Sequence, residues 1–217
     1  FPKRKQCLIE PFVGAGAVFL NSHFERYILA DINPDLINLF NIVKDNVDAY
    51  IEACKPIFFA ENANTADYYY AQRDAFNQSS DPFERSVLFL YLNRFGFNGL
   101  CRYNSKNEFN VPFGAYKTHY FPEDELRYFA HKAQSAVFLC ADFQQTFELA
   151  DKHSVIYCDP PYAPLPQDTN FTGYAGNAFG LEHQKNLAEC AKKAQKEKQI
   201  SVVISNPVSY THLRAHE

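Results

Sequence analysis

Five short apolar runs punctuate the chain: Cys7-Leu8-Ile9, Tyr27-Ile28-Leu29-Ala30, Val137-Phe138-Leu139-Cys140, Val155-Ile156-Tyr157-Cys158 and Ile200 to Ile204. Runs this short, broken off by polar residues, predict strands, and Val155 to Cys158 a buried one. The stretches between them carry helical spacing. Asn33 and Pro34 form an N-cap and first-turn pair, and Leu36, Leu39, Phe40, Val43, Val47 and Tyr50 follow on one face, predicting a single helix over the sheet. Thr65 predicts the cap of a second helix reaching about Asn77, and Asp81-Pro82-Phe83-Glu84 opens a third with a capping-box acid. Val87 to Leu92 is a core segment of that third helix, too short to span a membrane. A last helix, roughly Leu181 to Lys198, precedes the final strand, and Gly173, Gly176 and Gly180 make the loop before it a candidate lid. Strands alternating with helices predict an α/β fold.

Three strand ends carry candidate chemistry. Asp159-Pro160-Pro161-Tyr162 leaves the fourth run, at the carboxyl end of a buried strand, where open α/β sheets place their ligands. The Asp159 carboxylate and the Pro160 carbonyl can together accept both hydrogens of an exocyclic NH2, Tyr162 offers a ring face to its heterocycle, and Pro161 stiffens the turn. A Pro-rich turn that merely caps a strand is the competing reading. Glu10-Pro11-Phe12-Val13-Gly14-Ala15-Gly16-Ala17-Val18-Phe19 follows the first run as a Gly-rich turn opening a helix. Phe19 stands where a dinucleotide fingerprint has its third glycine, so a nucleoside without a pyrophosphate fits better. The second run ends at Asp31, where such folds hydrogen-bond a ribose diol; a helix-capping acid before Asn33-Pro34 is the plainer alternative.

With these motifs in this order, the chain from about Gln6 to Asn206 resembles the DNA adenine-N6 methyltransferases of the Dam type, a D12-class family that recognises GATC. The stretch between the motifs carries the resemblance further. Leu90 to Asn104 (LYLNRFGFNGLCRYN) and Phe109 to Gly114 (FNVPFG) look like that family's target-recognition hairpin. The resemblance implies a Rossmann-like class I S-adenosylmethionine methyltransferase sheet with an inserted target-recognition subdomain. It implies S-adenosylmethionine as cofactor at Glu10, Pro11, Phe12, Gly14, Gly16, Asp31, Asp142 and Phe143; for the last two, a helix cap and a core ring are equally good readings. It implies catalysis at Asp159, Pro160, Pro161 and Tyr162, with double-stranded DNA at Arg94, Phe97, Asn98, Leu100, Arg102, Pro112, Tyr116 and Lys117.

The expected division is a cofactor-binding part over 1–52, a helical and hairpin recognition insertion over 53–135, the rest of the catalytic domain over 136–206, and a tail over 207–217. That tail, from Pro207, matches nothing in the family and looks like an in-frame translation of a sequencing-library adapter. His212 and His216 within it have no acidic or cysteine partner nearby, and no metal site is expected. The family also carries an aromatic, glycine and lysine segment ahead of Phe1 and further strands after Asn206. These 217 residues alone are therefore expected to fold poorly or to lack activity.

Composition adds little to this picture. A formal charge of -4 gives no sign of nucleic-acid binding, but between Arg94 and Phe121 the cations Arg94, Arg102, Lys106 and Lys117 face only Glu108. Eight aromatics share that window, suited either to base contacts or to a small ring-rich core. Cys7, Cys54, Cys101, Cys140, Cys158 and Cys190 have no paired spacing and read as buried thiols of a reducing cytosol, without a membrane. A monomer is expected. Two other classes stay open: a methyltransferase on another amine (cytosine N4, an RNA adenine or a protein glutamine), and a non-catalytic DNA-binding module. Relatives of the former carry Asn or Ser in place of Asp159.

Overall fold

The computed structural model describes residues 5–161 and 179–205. Its strands are β1 (Cys7–Glu10), β2 (Arg26–Asp31), β3 (Ala136–Cys140), β4 (Ser154–Cys158) and β5 (Ser201–Ile204). The helices are α1 (Ala17–Asn21), α2 (Pro34–Asp45), α3 (Val47–Phe58), α4 (Ala66–Gln78), α5 (Pro82–Phe95), α6 (Glu123–Ala133), α7 (Phe143–Glu148) and α8 (Leu181–Lys198). All five apolar runs form strands, in the order β3-β2-β1-β4-β5. β1 runs parallel to β2 and β4, and β4 parallel to β5. The chain thus steps outward from β1 in one direction, then returns to the other side of β1 for β4. This reversal makes the carboxyl ends of β1 and β4 the switch point of the sheet.

The molecule packs as two compact units, Phe1–Ile32 with Ala141–Glu217, and Asn33–Cys140. In the first, Cys7 and Ile9 of β1 and Ile156 and Cys158 of β4 are buried against Phe143, Phe147, Leu187 and Ala194 from α7 and α8. Burying such side chains contributes about 1.5–3 kcal/mol each, which holds the two central strands under a helical layer. Gly173, Gly176 and the rest of the candidate lid before Phe179 lie outside the described residues, as does the tail from 207.

The second unit is built on aromatic rings whose hydroxyls find acceptors. Tyr50, Tyr69 and Tyr91 are fully buried. Their hydroxyls donate to the carbonyls of Ser86 (2.8 Å), Val111 (3.0 Å) and Ala63 (2.6 Å). An unsatisfied hydroxyl at any of these positions would cost about 1–3 kcal/mol.

The structure corrects the sequence expectation in three places. The single helix expected from Asn33 to Tyr50 is two helices, because Asn46 closes α2 through its N–H to the Ile42 carbonyl (3.0 Å) and opens α3 by accepting from the Ala49 N–H (3.1 Å). A side chain that competes for backbone donors favours such a break. At the start of α5, Asp81 caps the Glu84 N–H (2.7 Å), but the Glu84 carboxylate takes the Ser79 hydroxyl rather than completing a capping box. The cysteines are not uniformly buried: Cys7, Cys54 and Cys158 are, Cys190 is half-buried, and Cys101 and Cys140 are exposed. Cys101 lies in an irregular loop and Cys140 at the end of β3.

Gly96 joins α5 to the loop beyond it at a point where a Cβ would sit 2.5 Å from the Leu92 carbonyl oxygen and 2.9 Å from the Tyr69 hydroxyl. Gly14 has φ +48° but open space around it. Gly96→Ala should therefore destabilise the protein by about 2 kcal/mol or more, and Gly14→Ala by only about 1 kcal/mol of backbone strain. Urea unfolding of both variants checks the order, and a Gly96→Ala protein as stable as the parent would refute the packing argument.

Candidate active site and recognition surface

The glycine loop is held by the end of β2. The Val13 N–H donates to the Ala30 carbonyl (2.8 Å), and the Gly14 N–H to Oδ2 of Asp31 (3.2 Å). Gly16, at φ +73°, turns the chain into α1. Pro11 is buried and Phe12 half-buried, its ring stacked on Phe143 with centroids 5.6 Å apart. Phe143 is itself buried in the core, and Asp142 N-caps α7 in a reciprocal box with Gln145. The cap-and-core reading of this pair is thus realised, and the Phe143 face meets the Phe12 ring beside the loop.

Glu10 is the outlier. It is only 2 % exposed, and its Oε1 has no hydrogen-bond partner among the described residues. Burial pushes its carboxyl from an ordinary value of 4.5 up to about 7; the Phe19 amide opposes the rise and the charge of Asp159 adds to it. A buried acceptor left unsatisfied costs enough that it marks a place for a donor.

Asp159, Pro160 and Pro161 follow β4 directly, with Asp159 exposed and Pro160 half-buried. Tyr162 lies outside the described residues. Cys158, the residue before Asp159, is buried, and burial raises its thiol to about 12. It is therefore no competing nucleophile for an electrophile bound at this edge. Asp31, Glu10 and Asp159 all stand at carboxyl ends of adjacent parallel strands, β2, β1 and β4. The sheet thus brings together the loop, the acid after it and the Asp-Pro-Pro turn, as their sequence positions implied.

In the second unit, Arg94, Phe97, Asn98, Leu100, Arg102, Pro112, Tyr116 and Lys117 are all exposed. The expected hairpin is irregular. A 3-10 turn, Phe97–Gly99, and two isolated antiparallel bridges, Gly96 with Phe113 and Tyr103 with Phe109, replace a continuous ladder. Phe95 and Phe109 are buried as core rings, whereas Phe97 is 48 % and Leu100 43 % exposed. Asn98 adopts the left-handed conformation (φ +54°), and its N–H donates to the Tyr116 hydroxyl (2.7 Å). The Arg94 guanidinium lies over the Tyr120 ring.

Arg102 is oriented by a residue the sequence did not single out. Its Nε donates to Oδ1 of Asn110 (2.8 Å) and its Nη2 to the Asn110 carbonyl (3.0 Å). One edge of the guanidinium is thereby held, leaving the Nη1/Nη2 end directed away from Asn110. Only the antiparallel pairing, with the Asn110 N–H on the Arg102 carbonyl (3.1 Å), makes these two residues neighbours. Among the described residues no group of His, Cys, Asp and Glu is arranged to hold a metal ion, and no helix is long and apolar enough to cross a membrane.

A glycine loop, a following acid and an Asp-Pro-Pro turn stand together at the switch point of a parallel sheet, the ligand-binding edge of an open α/β fold. The chain matches the family profile of the D12 class N6 adenine-specific DNA methyltransferases over residues 1–215, a span that takes in most of the tail expected to lie outside the family, and it belongs to that family. It is 83% identical over 206 residues to the DNA adenine methylase of Haemophilus influenzae (strain ATCC 51907 / DSM 11121 / KW20 / Rd), covering 95% of this chain and 72% of that protein. It is 60% identical over 207 residues to a DNA adenine methylase of Vibrio cholerae serotype O1 (strain ATCC 39541 / Classical Ogawa 395 / O395), covering 95% and 74%. The DNA adenine methylase of Escherichia coli (strain K12) matches at 59% over 201 residues, covering 93% and 72%.

Because the native state keeps Glu10 protonated up to about pH 7 while the unfolded chain ionises near 4.5, its contribution to stability is complete below pH 4.5. It is lost as pH rises through 7. Glu10→Gln should flatten this fall and leave the variant more stable than the parent at pH 8, by up to roughly 3 kcal/mol. Unfolding measured at pH 5, 6, 7 and 8 tests it; parallel curves for the two proteins would show that Glu10 is not the titrating group.

Proposed function

We propose that the protein transfers a methyl group from S-adenosylmethionine to N6 of adenine within GATC in double-stranded DNA, acting as a monomer. One observation carries this reading: the glycine loop and the Asp159-Pro160-Pro161 turn leave adjacent parallel strands at the sheet's switch point. The residues present fit the cofactor. Glu10 offers a buried acceptor with no donor on Oε1 among the described residues, Asp31 a carboxylate for a diol, and Phe12 and Phe143 an apolar wall. When bound, S-adenosylmethionine supplies an electrophilic methyl on a sulfonium sulfur.

The chain's own task follows from the weakness of the nucleophile. The N6 lone pair of adenine is delocalised into its ring. Asp159 and the Pro160 carbonyl accept both amino hydrogens and localise that pair toward the methyl. Pro161 keeps the turn rigid, and Tyr162 stacks on the base. Asp159 orients and polarises; a carboxylate is too weak a base to deprotonate a neutral aromatic amine before attack. The proton leaves after methyl transfer, when nitrogen carries positive charge. N6 is inaccessible within a duplex, so the adenine is flipped out of the stack.

Recognition rests on the exposed loop. The Nη1/Nη2 end of Arg102 provides two parallel donors for O6 and N7 of a guanine. Leu100 and Pro112 provide apolar contact for a thymine methyl, Phe97 and Asn98 fill the gap left by the flipped base, and Tyr116 braces Asn98. Arg94 and Lys117 serve the phosphates.

Two experiments test this reading. In Asp159→Ala, methylation of duplex DNA should fall by at least about two orders of magnitude, with a much smaller loss of cofactor binding. Near-normal turnover would remove Asp159 from the mechanism. In Arg102→Ala, discrimination should relax at one outer base pair by about 1–3 kcal/mol when duplexes with single altered pairs are compared. A uniform loss on every duplex would mean that the arginine grips only the backbone.

A further inference from the structure

Asp35 is a carboxylate sunk into the second unit, 6 % exposed, in the first turn of α2. Arg85 of α5 grips it through both oxygens, Nε to Oδ1 at 2.8 Å and Nη2 to Oδ2 at 2.9 Å. Arg85 is fixed in turn. Its Nη1 donates to the Phe76 carbonyl (2.7 Å) and the Ser79 carbonyl (3.0 Å), and its guanidinium lies 4.0 Å from the centre of the Phe76 ring. A bidentate pair this well satisfied is rigid. Into it reaches a third group from far along the chain: the Tyr103 hydroxyl donates to Oδ2 of Asp35 at 2.7 Å. Tyr103 is bonded to Arg102, and on the other side of Arg102 the thiol sulfur of Cys101 accepts from Nδ2 of Asn33 (3.2 Å), the α2 cap. Arg102, exposed, is therefore carried on a segment clamped at both flanking residues to the start of α2. Across the bridge, the Tyr103 ring meets Phe109 edge-on at 5.7 Å, and Asn110, which holds the arginine's own edge, follows Phe109.

We propose that Tyr103 is a positioning residue of target selection: through its hydroxyl on the Arg85-bound carboxylate of Asp35, it fixes the direction in which Arg102 is presented to the DNA. This rests on the reading that Arg102 contacts a base. Bidentate recognition tolerates little angular error, so loss of the anchor degrades discrimination before it degrades binding. Burial first, with the neighbouring Cys101 and Asp35 adding to it, pushes the Tyr103 hydroxyl far up, so it remains a donor at every working pH. The core of the unit does not need this hydroxyl: the ring packing against Phe109 survives in phenylalanine.

The test compares Tyr103→Phe, Arg102→Ala and the double variant in the full chain, measuring kcat and KM for methylation of duplexes carrying GATC or one altered base pair. Tyr103→Phe is expected to lose selectivity roughly fivefold at the pair that Arg102→Ala relaxes, with kcat on GATC and cofactor affinity unchanged. In the double variant, Tyr103→Phe should add no further loss of selectivity, because it acts through Arg102. If Arg102→Ala relaxes one pair while Tyr103→Phe lowers only the melting temperature, Tyr103 is merely structural and the inference fails alone. If the two losses of selectivity add, Tyr103 does not act through the arginine. If Arg102→Ala leaves selectivity intact, the base-reading role itself is wrong and the inference falls with it.

Discussion

Parallel pairing of β1 with β4 is the constraint on which the candidate site depends. Separated in sequence by the whole second unit, these strands align Cys7 with Ser154 and Ile9 with Ile156, so both chains emerge at one edge. Parallel neighbours cannot be joined by a tight turn, and the sheet needs a long crossover at this point. The crossover here contains the whole second unit, Asn33–Cys140. A crevice forms where the strand order reverses, and the backbone leaving each strand is free to turn toward a ligand. The glycine loop exploits this on one side and the proline turn on the other. Apolar residues on both faces of β1 and β4 keep the pair in register, since a slip would move polar residues into the core.

The second unit solves a different problem, that of displaying an irregular loop rigidly. Its loop has almost no ladder of its own. Rigidity comes from polar anchors set in an aromatic core: Asn77 brackets Phe109 through both its N–H (2.8 Å) and its carbonyl (3.1 Å), Tyr69 and Arg73 hold the Val111 carbonyl, and Asn64 holds that of Tyr116 (2.8 Å). Val111, held in this way, leaves its neighbour Pro112 exposed, and Phe109 precedes the half-buried Asn110 that holds Arg102. Side chains that read backbone atoms, Tyr69 fully buried and Asn64, Arg73 and Asn77 half-buried, are well suited to this, because they fix the path of the chain without consuming the side chains that face solvent.

Much of this was legible in the sequence, and what was not has a physical reason. All five strands and α8 followed from local apolar runs and spacing. The candidate site at β1 and β4 could be placed on the sheet because each of its parts sits on the few residues following a strand. The break at Asn46 was missed because the apolar spacing continues through it, and only the double cap of one side chain interrupts the helix. Arg102 was legible as a residue type in an exposed-looking segment; its partner Asn110 was not, since an irregular loop does not announce which residues face each other. The pairing of Asp35 with Arg85 and Tyr103 spans 50 and 68 residues, beyond the reach of any periodicity. Burial of Glu10 was likewise invisible, for a carboxylate ending a strand normally turns to solvent.

The two carboxylates flanking the switch point are separated by environment rather than by residue type. Glu10, the last residue of β1, is enclosed, and near neutrality it still holds much of its proton. Asp159, just past β4, is exposed. Had both been open to solvent, each would repel the other and attract counterions. Had both been buried, neither would be free to ionise without a large penalty. Enclosing one removes negative charge from the edge, and exposing the other leaves its oxygens open to solvent. Opposed environments of this kind make two carboxyls at one sheet edge chemically distinct. Here they follow directly from where the glycine loop and the prolines turn the chain.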